Sequence, residues 1–122
     1  MNLSIKTSAF TKVSEINIPK IFFNRLSTGV KEFDSLFGEG ILPGSSITLT
    51  ARAGMGKTTF VLQLLENLHN NGHKVGYCSS EESVAQLAMT CKRLQVNSIQ
   101  VCNESDVDTI SKYMDDLDVI VI

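Results

Sequence analysis

The stretch ARAGMGKTTF, residues 51–60, decides how the rest of the chain is interpreted. It ends in the Gly-Lys-Thr of the pattern G-x-x-x-x-G-K-[ST], in which a glycine-rich loop wraps around phosphates. Only the first glycine of that pattern is replaced, by Ala51. An L-residue is tolerated there if its backbone angles are ordinary. Gly54 and Gly56 lie deeper in the loop, where close approach to phosphate favours glycine.

The residue types of this loop predict a phosphate site with a divalent cation. We expect backbone amides of the loop and of the next helix to point at the phosphates. Lys57 offers a positive charge to the β- and γ-phosphates, Thr58 offers a hydroxyl to Mg²⁺, and Thr59 is a weaker candidate for the α-phosphate. The simpler alternative is a glycine-rich turn with a surface lysine. The predicted nucleotide-binding residues are Ala53, Gly54, Met55, Gly56, Lys57, Thr58 and Thr59, with Thr58 as the metal ligand.

The segments around the loop alternate between strand and helix patterns, which predicts a parallel sheet with helices on both faces. A short helix capped by Ser27 or Thr28 comes first, with apolar positions at Val30, Phe33, Leu36 and Phe37. Strands are predicted at 46–50, 74–79, 98–102 and 118–122, and longer helices at 58–72, 79–94 and 105–117. The helix residues expected to face the sheet are Val61, Leu64, Leu65, Leu68, Val84, Leu87, Ala88, Cys91, Val107, Ile110, Met114 and Leu117.

Composition is that of an ordinary globular domain. The chain has 122 residues, 43% of them apolar and 20% charged, which is enough for one α/β domain. The net charge of −2 lacks the basic footprint of a strong nucleic-acid binder in this segment. No apolar run reaches the roughly 20 residues that cross a bilayer, and no secretory leader is evident, so we expect a cytoplasmic protein without membrane contact. The three cysteines lack metal-site spacing and are expected to be buried thiols.

The chain divides into an N-terminal arm or linker, residues 1–24, and a core, residues 25–122. The last residue, Ile122, falls inside a predicted strand, so we expect a truncated core, the front half of a longer one. An aspartate that helps to bind Mg²⁺ is expected after this strand. Asp118 lies at the start of the strand, at the wrong end to contact Mg²⁺.

A second constellation follows the second predicted strand, in YCSSEES, residues 77–83. Side chains at the carboxyl ends of parallel strands face the ligand crevice. A carboxylate there can orient the water that attacks a γ-phosphate. Glu81 is the first candidate and Glu82 the second. For Glu82 the favoured alternative is a capping box with Ser79 at the start of the next helix.

Taken together, RLSTGVKEFDSLFGEGILPGS (25–45), the loop at 51–60, YCSSEES, CKRL (91–94) and DVIVI (118–122) resemble the ATPase core of the bacterial RadA (Sms) family. This resemblance implies a RecA-like P-loop NTPase fold, ATP and Mg²⁺ as cofactors, and assembly into homo-oligomeric rings. It implies DNA-dependent ATP hydrolysis in recombination and repair, with single-stranded or branched DNA as partner of the full-length protein. Glu81 and Lys57 are then the catalytic residues. Two alternatives stay open: a KaiC-like signalling ATPase, and a nucleotide-binding fragment without turnover.

Overall fold

The computed structural model describes residues 9–52 and 54–122. Residues 1–8 of the predicted arm and Ala53 of the loop lie outside the described residues. Three short 3-10 turns, at Val13–Glu15, Lys20–Phe23 and Met114–Asp116, accompany the regular elements. The helices and strands, in chain order, are α1 (Lys31–Ser35), α2 (Lys57–Asn70), β1 (Val75–Cys78), α3 (Val84–Leu94), β2 (Gln100–Cys102), α4 (Val107–Tyr113) and β3 (Val119–Val121).

The three strands form one parallel sheet in the order β2-β1-β3. The central strand β1 pairs with β2 through Gly76 opposite Gln100, and with β3 through Gly76 opposite Ile120. The parallel sheet predicted from the strand–helix alternation is therefore confirmed for these strands. Because all three run the same way, their carboxyl ends meet at one edge, where parallel sheets bind ligands.

Helix α2 begins and ends within two residues of the predicted bounds. It starts directly after Gly56 and ends at Asn70, and Gly72 then adopts a left-handed φ of 93° that reverses the chain. Its inward stripe is the main part of the core, with Leu62, Leu65 and Leu68 at most 1% exposed. These leucines pack towards Tyr77, Ile99 and Val75 of the sheet region.

The predicted first strand is wrong within the described structure. Residues 46–50 belong to no strand, and Ile47 and Leu49 remain exposed. The β-branched composition of this segment sets only a preference, which is realised when a neighbouring strand supplies hydrogen bonds. Among residues 9–52 and 54–122, β3 pairs on one side only, with β1, and it is three residues long.

The predicted start of α3 is also wrong. The helix begins at Val84, and its capping box joins Ser83 with Gln86 in place of the predicted Ser79 and Glu82. Ser83 caps the helix because its hydroxyl accepts a hydrogen bond from the backbone amide of Gln86, while the Gln86 side-chain oxygen accepts one from the backbone amide of Ser83. Ser79 instead accepts from the Glu82 amide at 3.0 Å, which makes a turn ahead of the helix.

Some positions predicted to face the sheet are buried and others are exposed. Leu87, Cys91 and Ile110 are buried as predicted. Those that face outwards are Leu36, Val84, Ala88, Val107 and Met114. Among the described residues, no helix combines the length and the apolar character needed to cross a membrane.

Candidate nucleotide site

The loop ahead of α2 has the backbone that its glycines predicted. Gly54 and Gly56 adopt left-handed φ angles of 80° and 76°, which residues with a side chain rarely adopt. A Cβ added at either glycine meets nothing within 4 Å, so the loop borders open space. The amide of Met55 donates to the carbonyl of Arg52 at 3.2 Å, which closes the turn. Ala53 lies outside the described residues.

The N-terminus of α2 faces this loop without a side-chain cap. Its N-cap is Gly56, which contributes no side chain, and the first intrahelical bond runs from the Phe60 amide to the Gly56 carbonyl at 2.9 Å. The amides of Lys57, Thr58 and Thr59 therefore precede that bond and point out of the helix end. With the exposed Lys57 side chain, they present positive potential to an anion, and the open loop beside them fits an oligophosphate.

Tyr77, to which the sequence analysis gave no role, joins the loop to the sheet. Its phenol lies near the side chain of Thr58, the predicted Mg²⁺ ligand. Burial raises the pKa of the Tyr77 phenol, and the charge of Glu82 and then that of Glu81 add to it, while the nearby Thr58 side chain acts in the opposite direction. The signal available in the sequence was a polar aromatic side chain in the strand just ahead of the glutamates.

The two glutamates follow the carboxyl end of β1, as expected. Glu81 is exposed and Glu82 half-buried. The segment that carries them is bonded to the end of β2, since the Ser79 amide donates to the Cys102 carbonyl at 2.9 Å. The Asn103 side-chain amide donates to the Glu82 carbonyl at 2.8 Å. Both carboxylates lie near enough to Tyr77 to raise the pKa of its phenol, and Glu82 has the larger effect.

Asp118 lies at the opposite end of the sheet. Its carboxylate accepts from the Lys74 amide at 2.8 Å and lies 4.0 Å from Nδ1 of His73. Asp118 therefore links the amino ends of β1 and β3, whereas the two glutamates follow the carboxyl end of β1. At the carboxyl end of β3, Val121 is followed by Ile122, and neither can bind Mg²⁺. The described residues contain no cluster of three or more His, Cys, Asp or Glu side chains suited to a metal.

Ser27 and Thr28 of the segment LSTGV, residues 26–30, form a polar cluster with the buried Asp34. Asp34 accepts from the Thr28 amide at 3.1 Å, from the Thr28 hydroxyl at 2.5 Å and from the Ser27 hydroxyl at 2.9 Å. The predicted helix cap at Ser27 or Thr28 is wrong, because α1 begins after Val30 without a side-chain cap and both hydroxyls donate to Asp34. Asp34 has no predicted role. Its signal was an acidic residue six positions after a threonine, which is too common a spacing to identify the pair.

This cluster is attached to the C-terminal half of α2. The Asn71 side-chain amide donates to the Ser27 carbonyl at 3.1 Å. Gly29 approaches α2 so closely that a Cβ at this position would lie 3.3 Å from the side-chain nitrogen of Asn67. The segment at 26–30 thus contacts one end of the helix whose other end borders the candidate phosphate site.

The parallel sheet, the glycine loop and the helix that follows it are those of the RecA-like P-loop fold, and comparison with known proteins identifies the family. Residues 26–118 match the model of the family "ATPase: KaiC", and the chain belongs to that family. The RecA-like fold implied by the resemblance is confirmed.

Three relatives that match most of this chain are DNA repair proteins named RadA. The chain is 32% identical to DNA repair protein RadA of Campylobacter jejuni over 116 residues, which is 90% of this chain and 26% of the relative. It is 37% identical to DNA repair protein RadA of Escherichia coli K12, over 81% of this chain and 21% of the relative. With RadA of Chlamydia trachomatis the identity is 33%, covering 97% and 28%. The chain thus spans about a quarter of the length of these relatives, and it is RadA-like.

Proposed function

We propose that this chain binds ATP with Mg²⁺ and forms part of a RadA-like ATPase that acts on DNA in repair and recombination. The observation that carries the ATP proposal is the open loop at Gly54 and Gly56 leading into the uncapped N-terminus of α2. A simple surface turn requires neither feature. Both serve an oligophosphate, because they let backbone amides approach it closely.

Each residue of the loop has a distinct task in this proposal. Loop amides and the first amides of α2 bind the phosphate oxygens, and Lys57 neutralises the β- and γ-phosphates. The Thr58 hydroxyl is the ligand that this chain offers to Mg²⁺. When bound, Mg²⁺ neutralises charge that develops on the phosphate oxygens during transfer. The Tyr77 phenol, which lies near Thr58, is proposed to orient the Thr58 hydroxyl.

Glu81 is proposed to orient the attacking water, and Glu82 is the matched control. Both glutamates follow β1, but the main chain of Glu82 is already bonded to Ser79 and Asn103. Glu81→Gln removes the carboxylate charge and keeps the side-chain size. We expect it to lower the ATP hydrolysis rate by about 10²-fold, within the range for a general base, with ATP affinity retained. Glu82→Gln is expected to keep most of the rate.

The test is single-turnover hydrolysis of radiolabelled ATP by the chain and both variants, with ATP binding measured in parallel. A Glu81→Gln variant as active as the parent refutes the assignment of Glu81. Loss of activity in Glu82→Gln alone transfers the role to Glu82.

The DNA and ring proposals rest on the RadA relatives, and the family description raises a second candidate. The matching family model bears the name KaiC, which favours testing a signalling ATPase whose output is a protein partner. Adding single-stranded DNA separates the two. Stimulation of ATP hydrolysis by DNA, and ring formation seen by light scattering with ATP, support the repair motor. A rate that ignores DNA, together with phosphorylation of the chain itself, supports signalling.

A further inference from the structure

Two cysteine thiols face each other at the carboxyl edge of the sheet. Cys78 ends β1 and Cys102 ends β2, and the two are direct partners in the parallel register. Their sulfurs lie 2.9 Å apart and interact as free thiols. The third cysteine, Cys91, belongs to α3 and packs in an apolar cluster with Leu62 and Val96. The geometry therefore singles out one pair among the three cysteines.

We propose that Cys78 and Cys102 form a redox modification site, at which a low-molecular-weight disulfide converts the two thiols into a cross-strand disulfide. A disulfide bond is about 2.05 Å long, so the sulfurs must approach each other by roughly 1 Å. Such a movement is within the reach of side-chain rotation at the ends of short strands. The proposed phosphate site uses neither cysteine.

The chemistry proceeds by two thiol–disulfide exchanges. The sulfur of Cys102, the more accessible of the two, attacks the small disulfide RSSR as its thiolate; a mixed disulfide forms and one RS⁻ leaves. Cys78 then gives its proton to solvent and attacks the Cys102 sulfur, which expels the second RS⁻. Each RS⁻ takes up one proton, so two protein thiols and RSSR become one protein disulfide and two RSH.

The second exchange is the slow one. Burial, and then the hydrogen bond between Cys78 and Cys102, raises the pKa of the Cys78 thiol to about 12. Cys78 is therefore protonated at neutral pH, and the thiolate is the attacking form. The mixed disulfide at Cys102 is consequently expected to appear before the internal disulfide during the reaction.

The pair lies where the glutamate segment joins the sheet. The residue after Cys78 donates its amide to the Cys102 carbonyl, and the residue after Cys102 donates its side chain to the Glu82 carbonyl. Linking the sulfurs alters the spacing of these two strand ends. We therefore expect the disulfide to lower ATP hydrolysis, a consequence that rests on the proposed function, whereas disulfide formation itself does not.

The experiment treats the native chain with oxidised glutathione and follows intact mass, with peptide mapping after alkylation of remaining thiols. The expected result is a loss of about 2 Da, the two thiol hydrogens, and a linked peptide containing Cys78 and Cys102. Cys91→Ser retains this reaction, while Cys78→Ser and Cys102→Ser stop at the mixed disulfide or do not react. Treatment in denaturant should abolish the preference for this pair.

Stable glutathione adducts without an internal link in Cys91→Ser overturn the proposal, as does an unchanged mass. Circular dichroism of each serine variant shows whether it is folded, and only folded variants are compared. ATP hydrolysis is then measured before and after oxidation. A disulfide that forms without changing hydrolysis refutes the coupling to the glutamate segment and leaves the site itself standing. Absence of any ATP binding refutes the proposed function and not the site.

Discussion

Replacing Asp34 by alanine tests whether the buried cluster in LSTGV holds the fold together. Asp34 is 7% exposed and Thr28 is fully buried. Alanine leaves the Thr28 amide and hydroxyl without their acceptor, and each stranded buried group costs about 1–3 kcal/mol. The Ser27 hydroxyl is exposed and can bond to water instead. We therefore expect the free energy of unfolding to fall by about 2–6 kcal/mol, a large part of the 5–15 kcal/mol typical of a domain.

The assay is urea unfolding followed by circular dichroism at neutral pH. The matched control is Glu32→Ala, since Glu32 is an exposed acidic residue of the same short helix. Its effect is expected to stay within about 0.5 kcal/mol, as at other surface positions. If Asp34→Ala unfolds at the same urea concentration as Glu32→Ala, the cluster is not a stabilising element and the reasoning fails.

Acidification tests the same carboxyl without mutation. Burial by itself raises the pKa of Asp34, but hydrogen bonds from Thr28, Ser27 and Gly29 outweigh it and hold the pKa below its usual 3.8. The folded-state pKa is thus lower than that of the unfolded chain. Its stabilisation is present above the unfolded value and is lost as pH falls through the folded value. The gap in stability between the parent and Asp34→Ala should therefore narrow below about pH 4.

Two further substitutions have distinct expected results. Tyr77→Phe removes the hydroxyl that lies near Thr58 and keeps the ring. Because that hydroxyl is proposed to orient Thr58, ATP binding should require several-fold more Mg²⁺ in a calorimetric titration, with little change in stability. Unchanged Mg²⁺ dependence refutes this role of the Tyr77 hydroxyl. Gly40→Ala should lower the thermal unfolding temperature far more than Gly44→Ala. Both glycines have positive φ, but only at Gly40 would a Cβ meet a backbone oxygen, at 2.8 Å. Equal decreases in the unfolding temperature contradict the close contact.

The sequence predicted those elements whose signals are local. Helix α2 combines a glycine start, a leucine stripe and an Asn-Gly end, and its bounds were correct to within two residues. Strands β1, β2 and β3 were recognised from short apolar runs between helices. The start of α3 was missed because three serines compete to cap it, and only side-chain geometry decides that Ser83 pairs with Gln86.

Features that depend on distant partners were not predictable. Residues 46–50 have strand composition, yet strand formation depends on a neighbour that a pattern cannot reveal. Tyr77 lies near Thr58, which is 19 positions earlier in the chain. Cys78 pairs with Cys102, which is 24 positions later. The loop at Gly54 and Gly56 was anticipated because its spacing is itself the signal.

The most direct test of the account is ATP binding by the chain and by Lys57→Ala, measured by calorimetry with Mg²⁺ present. Lys92→Ala is the control, because Lys92 is an exposed lysine in the last turn of α3. We predict saturable binding by the parent and by Lys92→Ala, with affinity lowered at least about tenfold in Lys57→Ala, equivalent to about 1.4 kcal/mol. Equal affinity of Lys57→Ala and the parent would contradict the claim that residues 51–60 bind the triphosphate.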